Sequence, residues 1–184
     1  CKRNNTDDLG IYDLGGLIMK ISIIFFSITG NTEAAAKMIA EGARSTGNTE
    51  VRLFNLCDEE NWDKKFILES KAVIFGTPTY YANMCWQMKK WFDTKGVTYN
   101  FGGKLGSAFA TENNPNGGGA ELAIMTVYNH LLVYGMLVYS SGIEYGRPPI
   151  HIGPTAVSSR LSEHEESCKR FGKHIATKAR ELFE

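Results

Sequence analysis

Six consecutive residues, Ser27-Ile28-Thr29-Gly30-Asn31-Thr32, concentrate hydroxyl and amide groups directly after an apolar run and directly before a helical pattern. Ser27, Thr29 and Thr32 bring three hydroxyls and Asn31 an amide. Gly30 lets backbone N–H groups curl inward at a helix N-terminus, where partial positive charge favours an anion. Each hydrogen bond to a charged acceptor contributes about 1.5 to 3 kcal/mol, so several such donors hold a dianion without a Lys. An ordinary helix cap uses the same residue types, but a cap alone has no need of hydroxyls at three positions. Competing phosphate motifs fail here: no Gly-Lys-Ser/Thr ending is present and no G-x-G-x-x-G follows the apolar run. The acidic residues of a phosphoacceptor are absent from Phe26-Ser27 and Gly76-Thr77. The chemistry left is recognition of a terminal phosphate monoester on a small ligand.

The loop needs a frame, and the rest of the chain supplies one. From Met19 onward, strand-like and helix-like patterns alternate at roughly 30 residues, the length of a βα unit. Residues 20–26 (KISIIFF) and 71–75 (KAVIF) are continuous runs of the kind buried on both faces of a parallel sheet. Residues 50–54 alternate, as an edge strand does, and residues 104–110 and 136–139 complete five strands. Helices are expected over residues 33–45, from Met84 through Met88, Trp91 and Phe92, over 120–134, and at the end, where Leu161, Cys168, Phe171, Ile175, Ala179 and Leu182 share a face. The pattern predicts an α/β fold: a doubly wound five-stranded parallel sheet of order 2-1-3-4-5 with helices on both faces. Ligands of such sheets sit outside the carboxyl ends of the strands at the switch point, which directs attention to the loops at 27–32, 76–84 and 111–119.

The first of these loops fits T/S-x-T-G-x-T, with Asn31 in the variable place, and at this point the sequence resembles the flavodoxin superfamily. The resemblance implies a flavodoxin-like fold and assigns Ser27, Thr29, Gly30, Asn31 and Thr32 to the phosphate of FMN. The second loop, Gly76-Thr77-Pro78-Thr79-Tyr80-Tyr81-Ala82-Asn83-Met84, is similar to the G-T-P-T-x-x-x-N-M segment of WrbA-type NAD(P)H:quinone oxidoreductases and related FMN reductases. That likeness implies that Pro78, Thr79, Tyr80, Tyr81, Ala82, Asn83 and Met84 line the isoalloxazine ring. Tyr80 or Tyr81 could cover part of the ring or the nucleotide donor; packing against the next helix is the alternative for either.

The third loop, Thr111-Glu112-Asn113-Asn114-Pro115-Asn116-Gly117-Gly118-Gly119, has no aromatic residue, where electron-carrier flavodoxins usually stack one on the flavin. The resemblance assigns Thr111, Glu112, Asn113, Asn114, Gly117, Gly118 and Gly119 to the cofactor. The glycines would let N–H groups approach the flavin N1 and C2 carbonyl edge; a ligand-free surface loop is the alternative. The function implied is an FMN-dependent NAD(P)H oxidoreductase, passing two electrons as hydride from NADH or NADPH via flavin N5 to a quinone-like acceptor. No side chain is expected to act as nucleophile or obligatory acid, and no metal is expected. Two other readings stay open: a flavodoxin-type single-electron carrier between protein partners, and a binding protein with a vacant fold. Two departures from the WrbA pattern are Tyr134, where those proteins commonly have His, and the short stretch 55–70 between the second and third strands.

Composition narrows the field. The 184 residues carry 20 Lys+Arg against 20 Asp+Glu. Residues 1–18 read as a leader, tag remnant or disordered segment, with a lipid-modified N-terminal Cys1 as the alternative, and residues 19–184 as the FMN-binding domain. Setting aside Lys2, Arg3, Asp7, Asp8 and Asp13 leaves 18 basic against 17 acidic residues. That neutrality argues against a nucleic-acid binder and against a strongly acidic electron carrier. Cys1, Cys57, Cys85 and Cys168 form no C-x-x-C pair and no zinc spacing, so reduced, mostly buried thiols in a cytoplasmic protein are expected. No apolar run reaches the roughly 18 residues of a membrane span. Small-molecule substrates and a homodimer or homotetramer are expected, the latter on analogy; Trp86 or Tyr99 could mark an interface or simply be buried. Arg147 and His151 could reach the site or be surface residues, and His130 reads as a packing residue.

Overall fold

The computed structural model describes residues 18–143 and 146–184. The segment read as a leader therefore lies, apart from Ile18, outside the described residues. The elements are β1 (Met19–Phe25), α1 (Asn31–Arg44), β2 (Thr49–Asn55), α2 (Lys64–Glu69), β3 (Ala72–Tyr80), β4 (Asn83–Met84), α3 (Trp86–Thr94), β5 (Leu105–Glu112), α4 (Ala120–Val133), β6 (Leu137–Val138), β7 (Thr155–Val157) and α5 (Glu165–Phe183). The sheet runs β2-β1-β3-β5-β6, and every neighbouring pair on this path is parallel. This is the expected order 2-1-3-4-5, with two short additions: β4 folds back antiparallel on β3, and β7 pairs parallel with the far end of β5.

The continuous apolar runs are explained by the two cores. Successive residues of β1 and β3 point to opposite faces, and both faces are covered. Ile24, Val73, Phe75 and Ala108 pack under α3 and α4 in one core. Ile21, Ile23, Phe25, Ile74 and Phe109 pack under α1 and α5 in the other. The first core is aromatic: Phe75, Trp91, Phe92 and Phe101 meet with ring centroids 5.2 to 6.3 Å apart. Tyr99 is buried in it while Trp86 is exposed, so burial within the protomer accounts for Tyr99. In the second core α1 and α5 touch at glycines. A Cβ on Gly172 would stand 1.9 Å from the Ile39 carbonyl oxygen, and one on Gly42 would stand 1.8 Å from that of Lys169.

Cys85 and Cys168 are buried as expected, but Cys57 is exposed. Among the described residues there is no group of three or more His, Cys, Asp or Glu able to hold a metal. No described helix is long and apolar enough to cross a membrane.

Candidate functional site

β1 ends beside the middle of β3, through the pairing of Phe25 with Gly76 and the bond from Phe26 N–H to the Gly76 carbonyl at 3.1 Å. The chain then turns through residues 27–30 into α1. Gly30 takes the left-handed conformation at the helix N-cap (φ 87°), where a side chain would be strained, and no side chain caps the helix. The first-turn N–H groups of α1 therefore have no capping acceptor, and they face a loop of hydroxyls. Thr29 Oγ1 accepts a hydrogen bond from Asn31 Nδ2 at 3.3 Å. Thr32 Oγ1 meets Thr111 Oγ1 at 2.8 Å, a buried contact that ties the first loop to the third. Ser27 is 7% exposed, and its Oγ has no hydrogen-bond partner among the described residues.

The second segment is not a loop but a hairpin. Gly76 to Tyr80 continue β3, and Thr79 and Tyr80 pair with Met84 and Asn83 of β4. The two residues between them, Tyr81 and Ala82, both have positive φ (51° and 59°). That is the backbone of a two-residue turn normally filled by Asn-Gly, so two non-glycine residues sit in a sparsely populated conformation here. Thr77 Oγ1 accepts from Cys85 N–H at 2.9 Å, and Thr126 Oγ1 from Met84 N–H at 3.1 Å, locking the hairpin to α3 and α4. Thr79 Oγ1 is the second buried hydroxyl near the first loop without a partner among the described residues.

The third loop is held by its own carboxylate. Glu112 Oε2 accepts from Gly118 N–H at 2.6 Å and from Ala120 N–H at 3.2 Å. One of the N–H groups expected to face a flavin edge is thus taken by Glu112, which also supplies the negative charge that the start of α4 favours. The glycines have packing reasons as well. A Cβ on Gly119, whose φ is 82°, would lie 2.6 Å from the Cβ of Ala82, so the loop can lie against the hairpin tip only without a side chain.

Together these segments enclose a cleft of about 370 Å³, within the usual range of small-ligand sites. It is lined by Ser27, Thr29, Asn31, Thr32, Pro78, Thr79, Tyr80, Thr111, Glu112 and Asn113 of the expected residues, and by Phe26, Ile28 and Ser158 besides. Glu112 is the single charged residue in that lining. Gly30, Ala82, Asn114, Gly117, Gly118 and Gly119 shape the walls without lining the cleft, and Tyr81, Asn83 and Met84 border a second groove with Tyr80 and Trp86. Tyr80 stands where the two meet. Arg147 and His151 do not line the cleft. His130 stacks on Phe92 with its Nδ1 bonded to the Thr126 carbonyl, as a packing residue does. Tyr134 bonds the Phe92 carbonyl through its hydroxyl, and burial pushes its pKa up to about 12.

Ser158 was not among the candidates. The sequence signal for it is the short β-like Thr-Ala-Val after Pro154: β7 pairs Ala110 with Thr155 and Glu112 with Val157, which delivers the next residue to the cleft. Asn55 is the other residue that sequence reasoning passes over. Its side chain bonds both backbone groups of Ser27.

An open parallel sheet of this order, with a hydroxyl-lined cleft at the switch point beside a helix N-terminus that no side chain caps, defines the doubly wound class, whose ligands sit at that point. The flavodoxin family profile matches residues 23–111. The chain is 47% identical to a flavodoxin of Clostridium saccharobutylicum, over 90% of this chain and all of that one. It is 31% identical to an NAD(P)H dehydrogenase (quinone) of Trichlorobacter lovleyi, over 85% of this chain and 95% of that one. Its fold matches that of a WrbA-like flavodoxin from Agrobacterium tumefaciens with a TM-score of 0.70, at 24% identity over 89% of this chain and 99% of that one. The chain belongs to the flavodoxin family.

Proposed function

We propose that the cleft binds FMN by its phosphate and that the protein is an FMN-dependent NAD(P)H oxidoreductase acting on a quinone-like acceptor. The fit to FMN is supported by the two buried hydroxyls, Ser27 Oγ and Thr79 Oγ1, left without partners in the cleft wall. Buried polar atoms of native proteins are nearly always paired, so two orphans lining one cleft call for a polar ligand. Ser27, Thr29, Asn31 and Thr32, with the first-turn N–H groups of α1, would hold the phosphate. Pro78, Thr79, Tyr80, Thr111 and Asn113 would border the ring. Bound FMN would supply the two-electron chemistry; the chain's own part is to position and to shield.

The observation that carries the enzymatic reading is the third wall of the cleft. Residues 111–119 present no aromatic ring; Glu112 ties the segment to itself and Gly119 lies against the hairpin tip, an arrangement that would leave one side of a bound flavin open to a planar donor and, in turn, a planar acceptor. Positioning dominates such a transfer, and no titratable side chain is required. The single-electron carrier is the second reading, favoured by the full-length identity of 47% to a flavodoxin. Anaerobic mixing of the FMN-loaded protein with NADH or NADPH separates the two. Bleaching of the flavin bands by either nucleotide, followed by recovery of colour on adding a quinone, is the expected result. Bleaching by dithionite but by neither nucleotide would leave the carrier. We further infer a cytoplasmic protein. Self-association as a dimer or tetramer is supported by exposed Tyr81 at the hairpin tip, Trp86 on α3, and Leu122 and Met125 on α4.

A further inference from the structure

The first residue of the phosphate-type loop is gripped by a side chain from the neighbouring strand. Asn55 is the last residue of β2, and its pairing with Phe25 is the last of the β1–β2 ladder. Beyond that point the chain leaving β1 has no β2 backbone to pair with. The Asn55 carboxamide takes the strand's place: Oδ1 accepts from Ser27 N–H at 3.2 Å and Nδ2 donates to the Ser27 carbonyl at 3.0 Å. Oδ1 also accepts from Cys57 N–H at 3.2 Å, and the Cys57 thiol donates to the same Ser27 carbonyl at 3.5 Å. The Asn55 backbone carbonyl is itself held by Trp62 Nε1 at 3.0 Å. Only a planar carboxamide offers a donor and an acceptor side by side for one backbone unit. With both backbone groups of Ser27 satisfied in this way, its hydroxyl is the one polar group of the residue left over, buried and unpartnered.

We propose that Asn55 is a positioning residue for the phosphate site: it fixes Ser27 so that the hydroxyl is presented to a phosphate monoester, and it governs phosphate affinity without touching the ligand. This rests on the phosphate reading above. A carboxylate of the same shape would not replace the carboxamide, because Asp keeps the acceptor for the two N–H groups but sets an anionic oxygen against the Ser27 carbonyl, beside the place proposed for the phosphate.

The test uses the apoprotein and reads binding rather than turnover, by quenching of flavin fluorescence with FMN and with riboflavin, which lacks the phosphate. The wild-type protein should prefer FMN. Asn55→Ala and Asn55→Asp should each weaken FMN binding about tenfold or more, as expected for loss of a charge-assisted hydrogen bond, and riboflavin binding less than about twofold. Ser27→Ala should lose a similar factor, and Ser27→Ala combined with Asn55→Ala little more than either alone, since both act on one contact. A damaged fold would weaken both flavins in parallel, and that result overturns the proposal, as does unchanged FMN preference in the variants. A wild-type protein holding FMN no better than riboflavin removes the phosphate reading and the clamp with it. A wild-type preference for FMN that survives in both Asn55 variants removes the clamp alone.

Discussion

Glu112 illustrates how a residue picked out for one task carries a second. The resemblance implies a place for it beside the cofactor, and it lines the cleft; its carboxylate also closes the loop that follows, accepting from Gly118 and Ala120. Replacement by Ala leaves two N–H groups without that acceptor at the start of α4. A loss of about 1 to 3 kcal/mol is expected, read as a lowered denaturant midpoint, with Glu112→Gln falling between because it keeps an acceptor but not the charge. A midpoint unchanged in Glu112→Ala would mean that the loop is held by packing alone. Thr32 shows a similar division, since its hydroxyl is shared with Thr111 and serves the seam between two loops as well as any ligand. Neither role is legible in the sequence, because each depends on a partner brought close only by the sheet.

Among the elements, the contact of α1 with α5 is the tightest. No outward movement of a side chain can make room at Gly172, where the obstacle is the backbone carbonyl of Ile39. Gly172→Ala should therefore force the helices apart and destabilise by about 1 to 3 kcal/mol or more, measured by thermal unfolding; a neutral effect would contradict the crossing described. The buried strands were readable because both faces of β1 and β3 are covered, which makes residues 20–26 and 71–75 continuously apolar. The hairpin was not. Pro78 and the absence of Asn-Gly at its tip make residues 76–84 look like a loop, and Tyr81 and Ala82 adopt their turn only because the flanking pairs and Thr126 fix it. β6, reduced to Leu137–Val138, is shorter than its apolar pattern suggested, and β7 is too short at three residues to carry a periodic signal. The three loops of the site, by contrast, were found from topology, since a switch point is a property of strand order and not of any one residue.

At the scale of the whole molecule, several groups make stability depend on pH in the same direction. Burial, with Arg170 and Lys173 adding to it, holds the His174 imidazole below its ordinary value, next to Ser141 Oγ at 2.6 Å. The unfolded chain then takes up the proton first, so this contribution is complete above about pH 6.5 and is lost as the pH falls below it. Asp63, held down by the Phe66 N–H and by Arg52, and Glu69, held down by Lys20, follow below about pH 4. The melting temperature should fall between pH 7.5 and 5.5, and by less in His174→Gln; a rise over that interval would contradict the assignment. The composition of the cleft reaches furthest. Its single charged lining residue is an acid, so the proposed cradle would recognise a phosphate by the geometry of neutral donors and not by opposite charge. Mobile ions screen charge pairs and leave short hydrogen bonds largely alone. FMN affinity should accordingly change by less than about threefold between 50 and 500 mM sodium chloride, whereas a lysine-based cradle would weaken steeply. A site of this kind is also deaf to the cell's abundant polyanions. Nucleoside triphosphates, drawn to basic pockets from a distance, would have nothing here to draw them, and the cofactor would keep its place in a crowd of more highly charged competitors.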